Sequence, residues 1–131
     1  MNAPLSREPL VVAVTGLNAT DNPGPGVAVI RSLRHSPDFR GRIVGLAYDA
    51  LEPGVYAESL VDDVFLIPYP SQGLGPLRER LEYIRRRTGF NVVIPTLDAE
   101  LPSFVELAPE LKDEGVGTLL PSREQLDLRS K

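Results

Sequence analysis

Apolar residues along this chain follow two rhythms that alternate. Five short runs are almost continuously apolar: residues 10–15 (LVVAVT), 42–48 (RIVGLAY), 63–67 (DVFLI), 91–94 (NVVI) and 116–120 (VGTLL). Runs of this length, rich in β-branched residues and bounded by breakers, predict strands buried on both faces. Between them, apolar residues recur every three or four positions. Val27, Ile30 and Leu33 do so in 25–35, Leu77, Leu81 and Ile84 in 76–88, and Phe104, Leu107 and Leu111 in 101–114. That spacing predicts helices with one apolar face. The breakers agree with the division. Pro9 and Gly16 bound the first run, Pro68 stops the third, Pro95 follows the fourth, Gly115 closes the last long helix and Pro102 falls in its first turn. Ser122 is placed to cap a final turn over 123–128.

Strands that alternate with helices imply right-handed crossovers and a mostly parallel sheet covered on both faces. The expected fold is therefore α/β, a three-layer open sheet of about five strands in the doubly wound order 3-2-1-4-5. One domain over residues 10–128 accounts for nearly all of the 131 residues, with a flexible segment at 1–9 and a tail at 129–131.

In such a sheet, ligands bind beyond the carboxyl ends of the strands, where the winding reverses between strands one and four. The order of elements delivers three groups of residues there. Gly16, Asn18 and Thr20 follow the first strand, Asp49 follows the second, and Thr96, Asp98 and Glu100 follow the fourth. The first loop offers backbone amides and side-chain donors to an anion. However, Gly16, Gly24 and Gly26 do not make G-x-G-x-x-G, and no Walker-type phosphate loop occurs. A plain strand-to-helix turn explains these glycines equally well. Asp49 stands where a ribose hydroxyl is held in dinucleotide-binding folds, and is also suited to capping a turn. Thr96, Asp98 and Glu100 could hold a hydroxyl, an amine or a hydrated magnesium ion, or could serve the start of the next helix.

Composition narrows the chemistry. The chain has no cysteine, which excludes a thiol nucleophile, a disulfide and any thiolate metal site. Its one histidine, His35, cannot form a multi-histidine centre within a chain, and at a helix end it reads as structural. A formal charge of −4 argues against general nucleic-acid binding. Arg85, Arg86 and Arg87 read as a solvated helix end. No apolar run approaches the roughly 20 residues of a membrane span, and residues 1–9 have no signal-peptide core, so the expected location is the cytoplasm. No nucleophile, base and orienting acid assemble from these residues, so chemistry carried by this chain alone is not expected.

Four stretches taken together resemble the N-terminal, pre-ATP-grasp domain of ATP-grasp ligases, the group of biotin carboxylase and the carbamoyl phosphate synthetase large chain. They are IVGLAYD with a following PGVY, DDVFLIP, NVVIPTLDAEL and GVGTLLPSREQLDL, in that order and at similar spacing. The most specific part is P-x-x-D-x-E-L at 95–101. The resemblance implies a Rossmann-like domain that forms one wall of a substrate cleft through Gly16, Asn18, Thr20, Asp49, Thr96, Asp98 and Glu100. It further implies that ATP and magnesium are bound only with an ATP-grasp region. Relatives enter that region through an Asp-Lys step after a short helix like 123–128, where this chain has Arg129, Ser130 and Lys131. The expected partner is thus an ATP-grasp catalytic domain or chain, and a homodimer is allowed. Two other classes stay open. One is a stand-alone nucleotide- or dinucleotide-binding module. The other is a protein-interaction domain, although a receiver-like regulator would need acids where Gly16–Leu17 and Pro68–Tyr69 stand.

Overall fold

The computed structural model describes residues 10–17, 25–48 and 61–120. Five parallel strands form one sheet: β1 (Val11–Val14), β2 (Arg42–Ala47), β3 (Asp63–Leu66), β4 (Val92–Ile94) and β5 (Gly117–Thr118). Their order is β3-β2-β1-β4-β5, as the alternation of elements predicts. Among the described residues three α-helices lie against it, α1 (Pro25–His35), α2 (Leu74–Thr88) and α3 (Leu101–Asp113). The fold is an open α/β sheet of the Rossmann-like kind.

Because successive strand residues point to opposite faces, each strand feeds two cores. Val12, Val14, Ile43 and Ala47 pack with Leu17 and Ile30 beneath α1. Val11, Ala13, Val44, Leu46 and Val93 pack with Leu77, Leu81, Ile84, Phe104, Leu107 and Leu111 beneath α2 and α3. All four residues of β1 are buried, since the central strand has neighbours on both edges and helices on both faces.

Element ends depart from expectation in informative ways. Helix α2 begins at Leu74 rather than Pro76, preceded by a 3-10 turn at Pro70–Gln72. Pro76 is tolerated as the third helical residue because the first N–H groups of a helix have no intrahelical acceptor. Pro109 lies inside α3, where its missing N–H interrupts the ladder on the exposed side of the helix. Strand β5 pairs over only two residues, because β4 itself spans three and ends at Pro95. Gly115, at φ 88°, reverses the chain after α3, so that the Val116 N–H reaches the Leu111 carbonyl at 2.8 Å. The expected final turn at 123–128, with its cap at Ser122, and the termini at 1–9 and 129–131 lie outside the described residues.

At the amino ends of β2 and β3, Asp62 holds α1 to the sheet. Its Oδ2 accepts the Ile43 N–H at 2.8 Å and the Arg34 guanidinium at 2.8 Å. Burial alone would raise the Asp62 pKa. The Ile43 N–H, the hydrogen bond and charge of Arg34 and the charge of Arg42 together outweigh it and hold the carboxyl below its ordinary value. A carboxylate with a depressed folded pKa contributes stability above its unfolded value, and that contribution fades as pH falls through the folded value. Asp62→Asn should therefore be less stable than the parent at neutral pH, with the difference shrinking once pH drops below the ordinary value of 3.8. Urea unfolding across a pH series measures this, and a gap that is constant with pH would contradict it.

Candidate functional site

The carboxyl ends of β1 and β4 are adjacent, and the chain leaves β1 through Thr15 and Gly16 and leaves β4 through Pro95 and Thr96. Thr15 is fully buried, so its hydroxyl must be satisfied by protein. It donates to Glu100 Oε2 and accepts the Thr96 N–H at 2.8 Å. The Thr96 hydroxyl in turn donates to the Thr15 carbonyl at 3.0 Å. The two strand exits are thus stitched together through side chains just where the ladder of β-sheet hydrogen bonds stops.

Glu100 is the centre of this arrangement. It is 1% exposed, and its carboxylate receives four donors: the Thr15 hydroxyl, the Tyr48 hydroxyl, and the N–H groups of Thr96 and Leu97 at 3.1 Å each. A carboxylate acts only as an acceptor when ionised, and a buried one is tolerated when its lone pairs are filled in this way. By position Glu100 precedes the first residue of α3, yet its side chain makes no capping bond to that helix. Instead it folds back over the turn it ends, where its own N–H donates to the Leu97 carbonyl at 3.1 Å.

Tyr48 brings in the end of β2. With its hydroxyl on Glu100, the ring stacks on Tyr69, with centroids 5.1 Å apart and an interplanar angle of 12°. Tyr69 follows β3 and is half-exposed. The carboxyl ends of β1, β2, β3 and β4 are therefore linked by one chain of contacts: Thr96, Thr15, Glu100, Tyr48 and Tyr69.

Gly16 is required by space as well as conformation. Its φ is 77°, and a Cβ there would collide with Thr96 Oγ1. Its carbonyl accepts the Gly26 N–H at 3.0 Å, and a Cβ on Gly26 would collide with the Thr15 carbonyl. Gly16 and Gly26 thus close the base of the first loop and seat the N-terminus of α1 directly on the β1 exit. That contact consumes one of the helix's free N–H donors within the protein.

Of the sequence-derived candidates, Gly16, Thr96 and Glu100 are brought together, with Glu100 facing inward and Thr96 half-buried beside it. Asp98 is exposed in the turn between them. Asn18, Thr20 and Asp49 lie outside the described residues. Among the described residues, no group of three or more His, Asp or Glu side chains is placed to hold a metal ion. Thr15, Tyr48 and Tyr69 were not among the candidates. A polar residue ending a fully buried strand was a usable signal for Thr15, whereas the two tyrosines become neighbours only in the fold.

Among the described residues, surface concavities lie elsewhere. One, between α2 and α3, is floored by Leu81, Leu107 and Leu111 and spanned by the Arg78–Glu110 pair at 2.9 Å. The other, at the amino ends of β1 and β4, contains Arg85, paired with Glu114 at 3.4 Å. Neither lies at the carboxyl ends of β1 and β4, where open sheets of this order bind ligands. No protein-family model and no curated protein matches this sequence.

Removing the hub should be costly. Glu100→Ala leaves the Leu97 N–H and the two hydroxyls without their acceptor, and should destabilise the domain by about 3 kcal/mol or more, with Glu100→Gln intermediate. Gly16→Ala combines a positive φ with a steric clash and should cost about 2 kcal/mol or more. Chemical denaturation of the three variants tests both expectations, and wild-type midpoints would remove Glu100 and Gly16 from this role.

Proposed function

We propose that this chain is the substrate-side, pre-ATP-grasp domain of an ATP-dependent carboxylate ligase resembling the carbamoyl phosphate synthetase large chain, and that it acts with an ATP-grasp catalytic region or chain. The observation that carries the reading is the position of the P-x-x-D-x-E-L segment. Residues 95–101 leave β4 at the winding reversal, pressed against Gly16 and fixed there by Glu100. A wall of a ligand cleft needs such rigidity, because reacting groups must be held within fractions of an ångström.

In the reaction proposed, a substrate carboxylate oxygen attacks the terminal phosphorus of ATP, ADP departs, and an acyl phosphate forms. An amine or similar nucleophile then attacks the acyl carbon, loses a proton and expels phosphate. Both ATP and magnesium belong to the ATP-grasp region in this reading. The present chain contributes shape and orientation. Glu100 is a positioning residue, since all four of its donors come from the protein. In this proposal exposed Asp98 and half-buried Thr96 face a substrate amine or hydroxyl, joined by Asn18, Thr20 and Asp49.

Incubated alone with ATP, magnesium and a panel of carboxylates and amines, the chain should release no phosphate. Co-expressed with an ATP-grasp region, the chain should support carboxylate-dependent phosphate release, and Asp98→Ala should raise the KM for a substrate by about tenfold with kcat little changed. Turnover by the chain alone would overturn the reading. So would calorimetric binding of NAD, NADP or ATP to the chain alone at micromolar affinity, which would favour a self-contained nucleotide-binding module.

A further inference from the structure

We propose that two copies of this chain associate through α2, antiparallel, about a two-fold axis at Tyr83. The inference is independent of the ligase reading and rests on how the charges of that helix are used. Helix α2 carries Arg78, Arg80, Arg85, Arg86 and Arg87. Three of these are neutralised within the chain, Arg78 by Glu110, Arg85 by Glu114 and Arg86 by Glu82. Arg80 and Arg87 instead lie against the Tyr83 ring, each guanidinium carbon 4.9 Å from its centroid. Arg80 also donates its Nε to the Leu66 carbonyl at 2.7 Å.

This leaves two complementary charges on one exposed face. Among the described residues, Arg87 forms no ion pair with a carboxylate and Glu79 none with a cation. Both are exposed, and Tyr83 between them is 39% exposed. Glu79, Tyr83 and Arg87 stand at i, i+4 and i+8, along one ridge of the helix. At eight residues apart, Glu79 and Arg87 are too distant to pair with each other in one chain. With a rise of 1.5 Å per residue, each lies roughly 6 Å along the axis from Tyr83, on opposite sides.

A two-fold axis needs a patch that complements itself, and this one does. When two antiparallel copies of α2 cross at Tyr83, Glu79 faces the partner's Arg87 and Arg87 faces the partner's Glu79. The two ion pairs flank a central aromatic contact, the composition that dominates binding energy at protein interfaces. Like charges also approach: Arg80 faces the partner's Arg86 twice by symmetry, and Arg80 and Arg87 of each copy sit on the Tyr83 rings near the axis. However, Arg80 is held by the Leu66 carbonyl and Tyr83, Arg86 is paired with Glu82, and Arg87 gains the partner's Glu79. Guanidinium groups held on a ring lose less freedom on association than free ones. A generally acidic partner would meet Glu79 with like charge, whereas a second copy pairs it. One helix face is a small interface, so the dimer is a weak one.

Sedimentation velocity on the full chain, from about 10 to 500 μM at low salt, should show a monomer–dimer equilibrium that weakens as salt is added. Glu79→Arg and Arg87→Glu should each raise the dimer Kd at least about tenfold by opposing like charges. The double variant E79R/R87E should return it to within about threefold of the parent, because the pairs are restored with their signs exchanged. Both positions are exposed, and circular dichroism checks that the variants stay folded. A parent that is monomeric throughout, a dimer indifferent to the single reversals, or a double variant that stays dissociated would each overturn the proposal.

Discussion

A carboxylate sealed from water holds the upper end of this sheet together. Burying Glu100 as an ion is unfavourable unless its oxygens are filled, and an incompletely filled site is worse than an apolar one. The fold meets that demand with two hydroxyls and two backbone N–H groups drawn from β1, β2 and the β4 exit. The interaction works in both directions. The donors stabilise the charge, and the charge fixes where the donors can be, which sets the paths of the chain as it leaves β1 and β4.

Much else follows from that constraint. Thr15 can end a strand that is buried throughout because its hydroxyl has both a donor and an acceptor partner. Thr96 must come close to β1, and Gly16 must lack a side chain to let it. Gly26 must lack one as well, so that α1 can start against the same point. Tyr48 is drawn across the sheet end by its hydroxyl and leaves its ring for Tyr69 to stack on. The opposite end of the sheet uses a different device, the half-exposed Asp62 between Arg34 and the Ile43 N–H, where water shares the electrostatic work and the pairing is correspondingly weaker.

This division bears on function. In the proposed function a cleft wall at the carboxyl ends is useful only if it keeps its shape, and the contacts of Glu100 hold the strand exits without any contribution from ligand. The fold also separates two acids of one motif. Glu100 is buried among four protein donors, and Asp98, two residues earlier, is exposed. In the proposed ligase domain, the first shapes the cleft and the second meets the substrate. Helix α2 shows the same economy on the outer surface, where most arginines serve the chain's own carboxylates and two are laid on Tyr83, beside an acid that no described residue neutralises.

The strand order and the two cores were legible in the sequence because burial leaves a direct trace. A strand covered on both faces must be apolar at every position, as residues 11–14 are, and a helix on its surface must repeat every three or four residues, as Leu77, Leu81 and Ile84 do. The meeting of the β1 and β4 exits was legible for the same reason, since alternation fixes which strands lie side by side at the winding reversal. Which side chains meet there was decided by tertiary structure alone. Thr15 and Glu100 are 85 residues apart, and Tyr48 and Glu100 are 52 apart. In a linear chain, a glutamate after a strand reads the same whether it faces water, a ligand or four buried donors. Only the close approach of β1 and β4, with β2 alongside, turned a candidate ligand-binding acid into an internal brace of the strand exits.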